Sequence, residues 1–274
     1  MHSTSIKGVT HRARRASDSP ATHMLARAGL AARGLIYLLV GWVALLVALG
    51  RSSHEADQQG ALALLAGKPY GQVSLWLLGL GFVAYALWRL SEAAFGVTGE
   101  PAGAGPRLKS LGRAVIYAGF VYLTFQVISG SERSQARQQQ DVTATVMQHP
   151  AGRWLVGIVG LIVVIVGLAL IGQGVGRRFM RHLRTAKMSP RTRRVVVWLG
   201  VVGTVARGLV FALVGALVVD AAITHRASES RGIDKALLTL RNQQPFGEVL
   251  MILAALGLAV FGIYGLCEAR WRRV

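Results

Sequence analysis

Charge is scarce in this sequence. Only 16% of its 274 residues are Asp, Glu, Lys or Arg, whereas soluble domains are usually about 25% charged. There are 12 acidic residues, and the single cysteine excludes an intrachain disulfide. The shortage of charge argues against a soluble globular protein, and the 53% hydrophobic content excludes a disordered chain.

The basic residues outnumber the acidic ones, but they do not form one surface. The 31 Lys and Arg residues give a formal net charge of +19, which in a soluble fold would suggest a nucleic-acid partner. Here they fall between long apolar stretches, as is typical of membrane proteins. The sequence therefore predicts membrane lipids as partners and no nucleic acid.

Six apolar stretches are long enough to cross a bilayer. A spanning helix needs ~20 mostly apolar residues to cross a hydrocarbon core ~30 Å thick. Backbone amides cannot stay unpaired in lipid, so each stretch is expected to be helical. The stretches are residues 32–49, 71–90, 113–129, 152–172, 201–223 and 247–267. The predicted fold class is all-α, a polytopic membrane protein with six transmembrane helices.

The distribution of Lys and Arg predicts the orientation. Residues 1–23 are expected to form a flexible basic tail, and the linkers 94–107 and 177–194 lie on the same side of the membrane as that tail. This side carries more Lys and Arg than the other, so both termini are predicted to be cytoplasmic in a bacterial plasma membrane.

One of these linkers holds the densest basic block of the chain. Its members are Arg177, Arg178, Arg181, Arg184, Lys187, Arg191, Arg193 and Arg194. The block is either a topology signal alone or a patch that binds anionic lipids of the inner leaflet or a membrane-protein partner.

Three landmarks recur along the chain. They are an Arg between small residues, a Pro 36 to 38 residues further on, and a polar residue 23 positions beyond that Pro. In chain order the arginines are Arg33, Arg113 and Arg207, the prolines are Pro69, Pro150 and Pro245, and the polar residues are Glu92, Gln173 and Glu268. The landmarks divide the chain into repeats over residues 24–93, 108–176 and 195–274.

Each repeat is predicted to be a hairpin of two spanning helices. Two crossings return the chain to its starting side, so the three hairpins are tandem and parallel, unlike the inverted repeats of many transporters. A pseudo-threefold arrangement about the membrane normal is the simplest packing. The outer segment that ends at each Pro is expected to contain a short amphipathic helix.

The repeat spacing brings polar residues to one depth. A helix of 23 residues from the outer Pro travels ~34 Å, which places the polar landmark at the inner interface near the repeat Arg. We predict the pairs Arg33 with Glu92, Arg207 with Glu268 and Arg113 with Gln173, either within a hairpin or around the ring with its neighbour. A guanidinium binds a carboxylate through two parallel hydrogen bonds, and an unpaired charge is costly there. The pairs either staple helix ends or form an inner gate.

Two further polar residues lie within spans. Gln126 and Asp220 each follow their repeat Arg by 13 residues, which places both in the outer third of the membrane. An ionisable residue in a span is a candidate site, although a solvated helix end is the alternative. The glycines Gly157, Gly160, Gly167, Gly257, Gly262 and Gly265 indicate close helix contact.

Several of these features resemble a known bacterial family. They are Arg33-Gly34 followed by Tyr37, the segment from Gly60-Ala61-Leu62 to Pro69-Tyr70-Gly71, and Arg89-Leu90-Ser91-Glu92. Together they resemble the family called domain of unknown function 1206, over residues 24–270. The resemblance implies a six-helix integral membrane protein built from three two-helix repeats, with no established activity. The middle repeat departs most, with Ala114, Ala151 and Gln173 at the landmark positions.

Enzyme motifs are not found in the sequence. No His pair has metal-binding helical spacing, no Gly-x-Ser-x-Gly motif occurs, and Cys267 has no adjacent His to activate it. The sequence predicts a non-enzymatic protein without cofactor or metal, namely a structural, lipid-associated or partner-binding helical bundle. The alternative is a small-solute transporter or channel that uses the pseudo-threefold axis.

Overall fold

The computed structural model describes residues 20–96, 103–130, 134–149, 151–224, 232–242 and 245–272. Most of the predicted tail, Pro150, and the middle of the first linker lie outside these ranges. The described residues form nine α-helices, two 3-10 helices and no β-strand.

Six of the helices are long and apolar enough to cross a membrane, with 24 to 35 residues each and a mean hydropathy of 1.5 to 3.0. They are α1 (Pro20–Ala48), α3 (Gly71–Phe95), α4 (Ala104–Ile128), α6 (Gly152–Val175), α7 (Pro190–Thr224) and α9 (Gly247–Trp271). Proline is the first residue of α1 and α7, where its missing amide hydrogen costs nothing. The prediction of six spanning helices is confirmed.

Three shorter helices connect the long helices of each pair at the opposite end from the two linkers. They are α2 (Gln58–Ala66), α5 (Gln135–Met147) and α8 (Gly232–Arg241). The Asp57 carboxylate accepts a hydrogen bond from the Gly60 amide at 2.9 Å and so caps α2. Ser134 caps α5 in the same way. These caps satisfy amides that the first turn of a helix leaves unpaired.

The long helices pack in the order α4, α3, α1, α9, α7, α6. The closest packing joins successive repeats, with α3 against α4 and α6 against α7, and α9 of the third repeat packs against α1 of the first. In the second repeat, however, α4 and α6 have almost no contact in the described part of the chain. We call the gap between α4 and α6 the seam. The pseudo-threefold arrangement itself stays a prediction.

Glycine permits the close approach at two of these junctions. A Cβ atom at Gly34 of α1 would lie 2.8 Å from the carbonyl oxygen of Gly262 on α9, and one at Gly208 of α7 would lie 2.8 Å from that of Gly167 on α6. Gly34 and Gly208 follow the repeat Arg directly, and Ala114 takes this position in the second repeat. The first and third repeats therefore bring helix backbones together with the small-residue contacts that stabilise membrane helices.

We expect Gly167→Val to destabilise the α6–α7 junction. A Cβ at Gly167 would lie 2.5 Å from the backbone nitrogen of Ala212, so the helices must separate, at a cost of about 1–3 kcal/mol. A lower thermal unfolding midpoint of the purified protein in detergent would show this. The matched control is Gly119→Val, because a Cβ at Gly119 meets no atom within 4 Å. Equal unfolding midpoints for Gly167→Val and Gly119→Val would contradict the close packing of α6 on α7 at Gly167.

Candidate functional site

A buried ion-pair triad lies at the end of the α9–α1 junction. Arg33 on α1 donates a hydrogen bond to one carboxylate oxygen of Glu268 on α9, and Arg272 donates to the other. All three side chains are buried. Glu268 therefore links the first and third repeats through two charge-assisted hydrogen bonds, which are among the strongest in proteins.

Glu92 occupies the corresponding place at the α3–α4 junction. It accepts a hydrogen bond from Arg89, one turn before it on α3, at 2.5 Å, and one from the Ser110 hydroxyl on α4 at 3.1 Å. Arg89 also donates to the hydroxyl of Tyr85 at 2.9 Å. Each of the two glutamates thus joins the second spanning helix of one repeat to the first spanning helix of another: Glu92 joins α3 to α4, and Glu268 joins α9 to α1.

These contacts differ from pairing within a hairpin, and for Arg33 they match the alternative in which the pair forms around the ring with a neighbouring repeat. Arg33 pairs with Glu268 of the third repeat instead of Glu92, because α1 packs more extensively on α9 than on α3. Arg207 does not pair with Glu268, whose two oxygens bind Arg33 and Arg272.

Arg207 lies among aromatic rings. Its guanidinium carbon is 5.0 Å from the ring centroid of Tyr37, 4.9 Å from that of Phe211 and 4.8 Å from that of Phe261. At the α6–α7 junction the polar landmark residue is Gln173, which is exposed. Because the second repeat carries Gln where the others carry Glu, Arg207 has cation–π contacts in place of a carboxylate.

Arg113 and Gln173 are not brought together. Both side chains are exposed, and they lie on α4 and α6, which flank the seam. Arg113 lies three residues after Ser110, which donates to Glu92. It lies four residues before Tyr117, whose ring centroid is 4.1 Å from that of Tyr85, and residues at these spacings share one face of a helix. Arg113 therefore lies beside the buried cations, and the predicted pair with Gln173 does not form.

Shared aromatic rings connect the other four arginines, which are Arg33, Arg89, Arg207 and Arg272. Tyr85 contacts Arg33 and Arg89, with guanidinium carbons 6.0 and 5.0 Å from its centroid. Trp88 contacts Arg89 at 4.1 Å and Arg272 at 5.2 Å. Phe261 contacts Arg33 at 5.6 Å as well as Arg207. We call the following residues the arginine cluster: Arg33, Arg89, Arg113, Arg207 and Arg272, with Glu92 and Glu268.

Sequence reasoning missed two of these arginines. Arg89 stands three residues before Glu92, and Arg272 stands four after Glu268. Residues at these spacings share one face of a helix, so the signal was present. It was overlooked because neither arginine recurs at the same place in all three repeats.

The structure gives Gln126 and Asp220 different surroundings. Gln126 is buried, donates to the hydroxyl of Tyr122 at 2.8 Å and accepts a hydrogen bond from Gln138. Asp220 is exposed near the end of α7. The equivalent repeat positions thus lead to a buried hydrogen-bonded amide in one repeat and an exposed carboxylate in another.

A second polar cluster joins the starts of the three short helices. Ser134 donates to the Glu55 carboxylate at 2.5 Å, and the backbone amide of Ala56 donates to the Asp234 carboxylate at 2.9 Å. Burial, together with the nearby charges of Glu55 and Asp234, raises the pKa of Asp57 to about 7, although the hydrogen bond from Gly60 opposes this. Among the described residues, no group of three or more His, Cys, Asp or Glu side chains could hold a metal ion.

The dense basic block follows α6 and continues into the first turn of α7, which contains Arg191, Arg193 and Arg194. It lies at the same end of the bundle as Glu268 and Arg272 of the arginine cluster. We call residues 177–194 the basic connector. Its backbone is fixed to α9, because the amide of Arg184 donates to the carbonyl of Trp271 at 2.8 Å and Leu183 is buried. Every basic side chain of the block except Arg184 is exposed, and the connector holds no Asp or Glu. The structure thus holds an unneutralised basic surface against the end of the bundle.

Six long apolar helices in three repeats define a polytopic α-helical membrane protein. The chain belongs to the family described as Domain of Unknown Function (DUF1206), whose model matches three times, over residues 28–96, 108–177 and 202–272. It is also similar to "Uncharacterized protein YxxB" of Bacillus subtilis (strain 168), with 28% identity over 251 residues, which cover 90% of each chain. No solved structure matches this chain.

Proposed function

We propose that the protein is a non-enzymatic, lipid-associated bundle of the bacterial plasma membrane, and that its basic connector binds anionic headgroups of the inner leaflet. The observation that carries the proposal is the exposure of the connector's basic side chains without a single acidic neighbour in the segment. A basic residue near an anionic leaflet contributes ~1 kcal/mol to membrane association. Several such residues on one anchored segment therefore favour anionic over zwitterionic lipid.

The same residues support the orientation. The connector lies on the same side of the membrane as the last turn of α9, to which it is hydrogen-bonded. Lys and Arg concentrate in cytoplasmic loops of membrane proteins, so this side and both termini face the cytoplasm. Labelling of an Arg181→Cys variant by an impermeant maleimide, with Cys267→Ser as background, should require opened cells. Labelling in intact cells would overturn the orientation.

The interior packing favours a closed bundle over the alternative of a small-solute transporter or channel. Rings of Tyr85 and Tyr117 lie 4.1 Å apart between α3 and α4, and those of Tyr37 and Phe261 lie 4.9 Å apart between α1 and α9. Such contacts fill the space between the helices at the depth of the arginine cluster.

Lipid selectivity tests the role of the connector. The protein is reconstituted in phosphatidylcholine vesicles with spin-labelled phosphatidylglycerol, and electron paramagnetic resonance gives the motionally restricted fraction of the probe. Replacing Arg177, Arg178, Arg181, Arg191, Arg193 and Arg194 with Gln should lower the preference for phosphatidylglycerol several-fold, because each lost charge weakens the attraction.

The matched control removes basic residues from the other end of the bundle. The exposed residues Arg51, Lys68, Arg137 and Arg241 are replaced with Gln. A smaller loss of preference in this control supports the connector as the lipid-binding element. Equal preferences in the wild type and the connector variant would overturn the proposal.

A further inference from the structure

The arginine cluster contains more cations than its carboxylates can pair. Four guanidinium groups that contact shared aromatic rings, together with Arg113 on the adjoining face of α4, have only two carboxylates among them, those of Glu92 and Glu268. Glu268 is taken by Arg33 and Arg272, and Glu92 by Arg89 and Ser110. In the described part of the chain, Arg113 and Arg207 have no carboxylate partner.

Hydrogen-bond donors are also left over inside the cluster. The Nε atoms of Arg33, Arg89 and Arg207 are buried and have no acceptor among the described residues. Arg89 is 1% exposed and Arg33 is 8% exposed, so bulk water has little access to their unpaired donors. Burying a donor without an acceptor is costly, and burying a charge without a counter-charge is costlier still. An anion within the cluster would supply both the missing acceptor and the missing negative charge.

The cluster reaches the surface at Arg113. This side chain is exposed, and it shares a helix face with Ser110, which donates to Glu92, and with Tyr117, which packs on Tyr85. It belongs to α4, one of the two helices that border the seam, and Gln173 of α6 is exposed on the other border. Arg113 therefore gives the cluster an exposed cation on a helix that borders the seam.

We propose that the arginine cluster binds a phosphate-class anion, with Arg113 and Arg207 supplying the charge that no carboxylate neutralises. Guanidinium groups hold phosphate oxygens through paired hydrogen bonds, and arginine serves this purpose better than lysine because its donors form a rigid planar fork. The anion comes either from an anionic phospholipid headgroup that reaches the exposed Arg113 or from free phosphate. This site is separate from the basic connector and does not depend on it.

Two arms of one experiment distinguish these sources. The protein is purified in a detergent with a sugar headgroup, so that no phosphate is supplied by the detergent. In the first arm, phosphatidylglycerol is added and native mass spectrometry counts the molecules retained. In the second arm, radiolabelled inorganic phosphate is titrated and binding is measured by scintillation proximity. Retention of the phospholipid alone assigns the site to a headgroup, and binding of inorganic phosphate assigns it to the free anion.

The variants Arg113→Gln and Arg207→Gln test the site in whichever arm binds. Each should weaken binding about tenfold, as expected for the loss of a hydrogen bond to a charged group. Arg270→Gln is the matched control, because Arg270 is exposed at the same end of the bundle and contacts only the Trp271 ring among the described ring contacts. Arg113→Lys keeps the charge and should restore part of the affinity.

Folding does not confound the outcome. Arg113 is exposed and makes no ion pair in the described residues, so Arg113→Gln removes no structural contact of that kind, and its elution profile should match the wild type. If Arg207→Gln fails to fold, Arg113→Gln decides alone. Absence of binding in both arms, or binding that Arg113→Gln and Arg270→Gln weaken equally, would overturn the proposal.

Discussion

Glu268→Gln should destabilise the bundle by about 3–5 kcal/mol, the usual cost of removing one partner from a buried ion pair. The substitution leaves Arg33 and Arg272 buried without their carboxylate. Glutamine keeps the size of the side chain but offers one carbonyl oxygen where two charged oxygens stood. Thermal unfolding of the purified protein in detergent, followed by circular dichroism, measures the loss.

Glu248→Gln is the matched control for this loss. It makes the same substitution on the same helix, but Glu248 is exposed in the first turn of α9. Its midpoint should remain close to that of the wild type. A Glu268→Gln midpoint as high as that of the control would show that the triad does not hold the first and third repeats together.

Asp57 should make the stability depend on pH. Its pKa is about 7 in the folded protein, against an ordinary value of 3.8. Between these values the folded state holds a proton that the unfolded state has lost, so the stability falls as the pH rises from about 4 to about 7. The full difference is on the order of 4 kcal/mol. The thermal unfolding midpoint should therefore be lower at pH 8 than at pH 5.

Asp57→Asn should remove most of this dependence and raise the midpoint at pH 8. Asparagine cannot ionise, but its side-chain oxygen can still accept the hydrogen bond from the Gly60 amide, so α2 keeps its cap. Asp141→Asn is the control, since Asp141 is an exposed acid on α5. An unchanged pH dependence in Asp57→Asn would mean that another group is responsible.

The spanning helices could be predicted from the sequence because crossing a bilayer imposes a local requirement. Any segment that does so must be apolar over a fixed length, whatever its neighbours are. The helix ends were less predictable. The apolar stretch that begins at residue 201 belongs to α7, which starts at Pro190 and has no charged or polar side chain over residues 195–200. The polar residues 191–194 form its first turn, because a helix can continue beyond the lipid with polar residues.

The partner of Arg33 could not be decided from the sequence. Glu92 and Glu268 occupy the same landmark position, so both were expected at the depth of Arg33. The choice depends on which helix packs most closely on α1, and this is α9. Gly34 and Gly262 indicate that α1 packs on α9, since a Cβ atom at either position would collide with the backbone of the other helix. Such a contact is found only by comparing pairs of helices, because the spacing of residues along the chain does not show which helices pack together.

The contact between α9 and α1 has a consequence for biosynthesis. Of the six spanning helices described, α1 is synthesised first and α9 sixth. Until α9 has been synthesised, Arg33 therefore lacks the carboxylate of Glu268. A chain that stops before α9 leaves α1 with an unneutralised cation and with Gly34 uncovered by the α9 backbone.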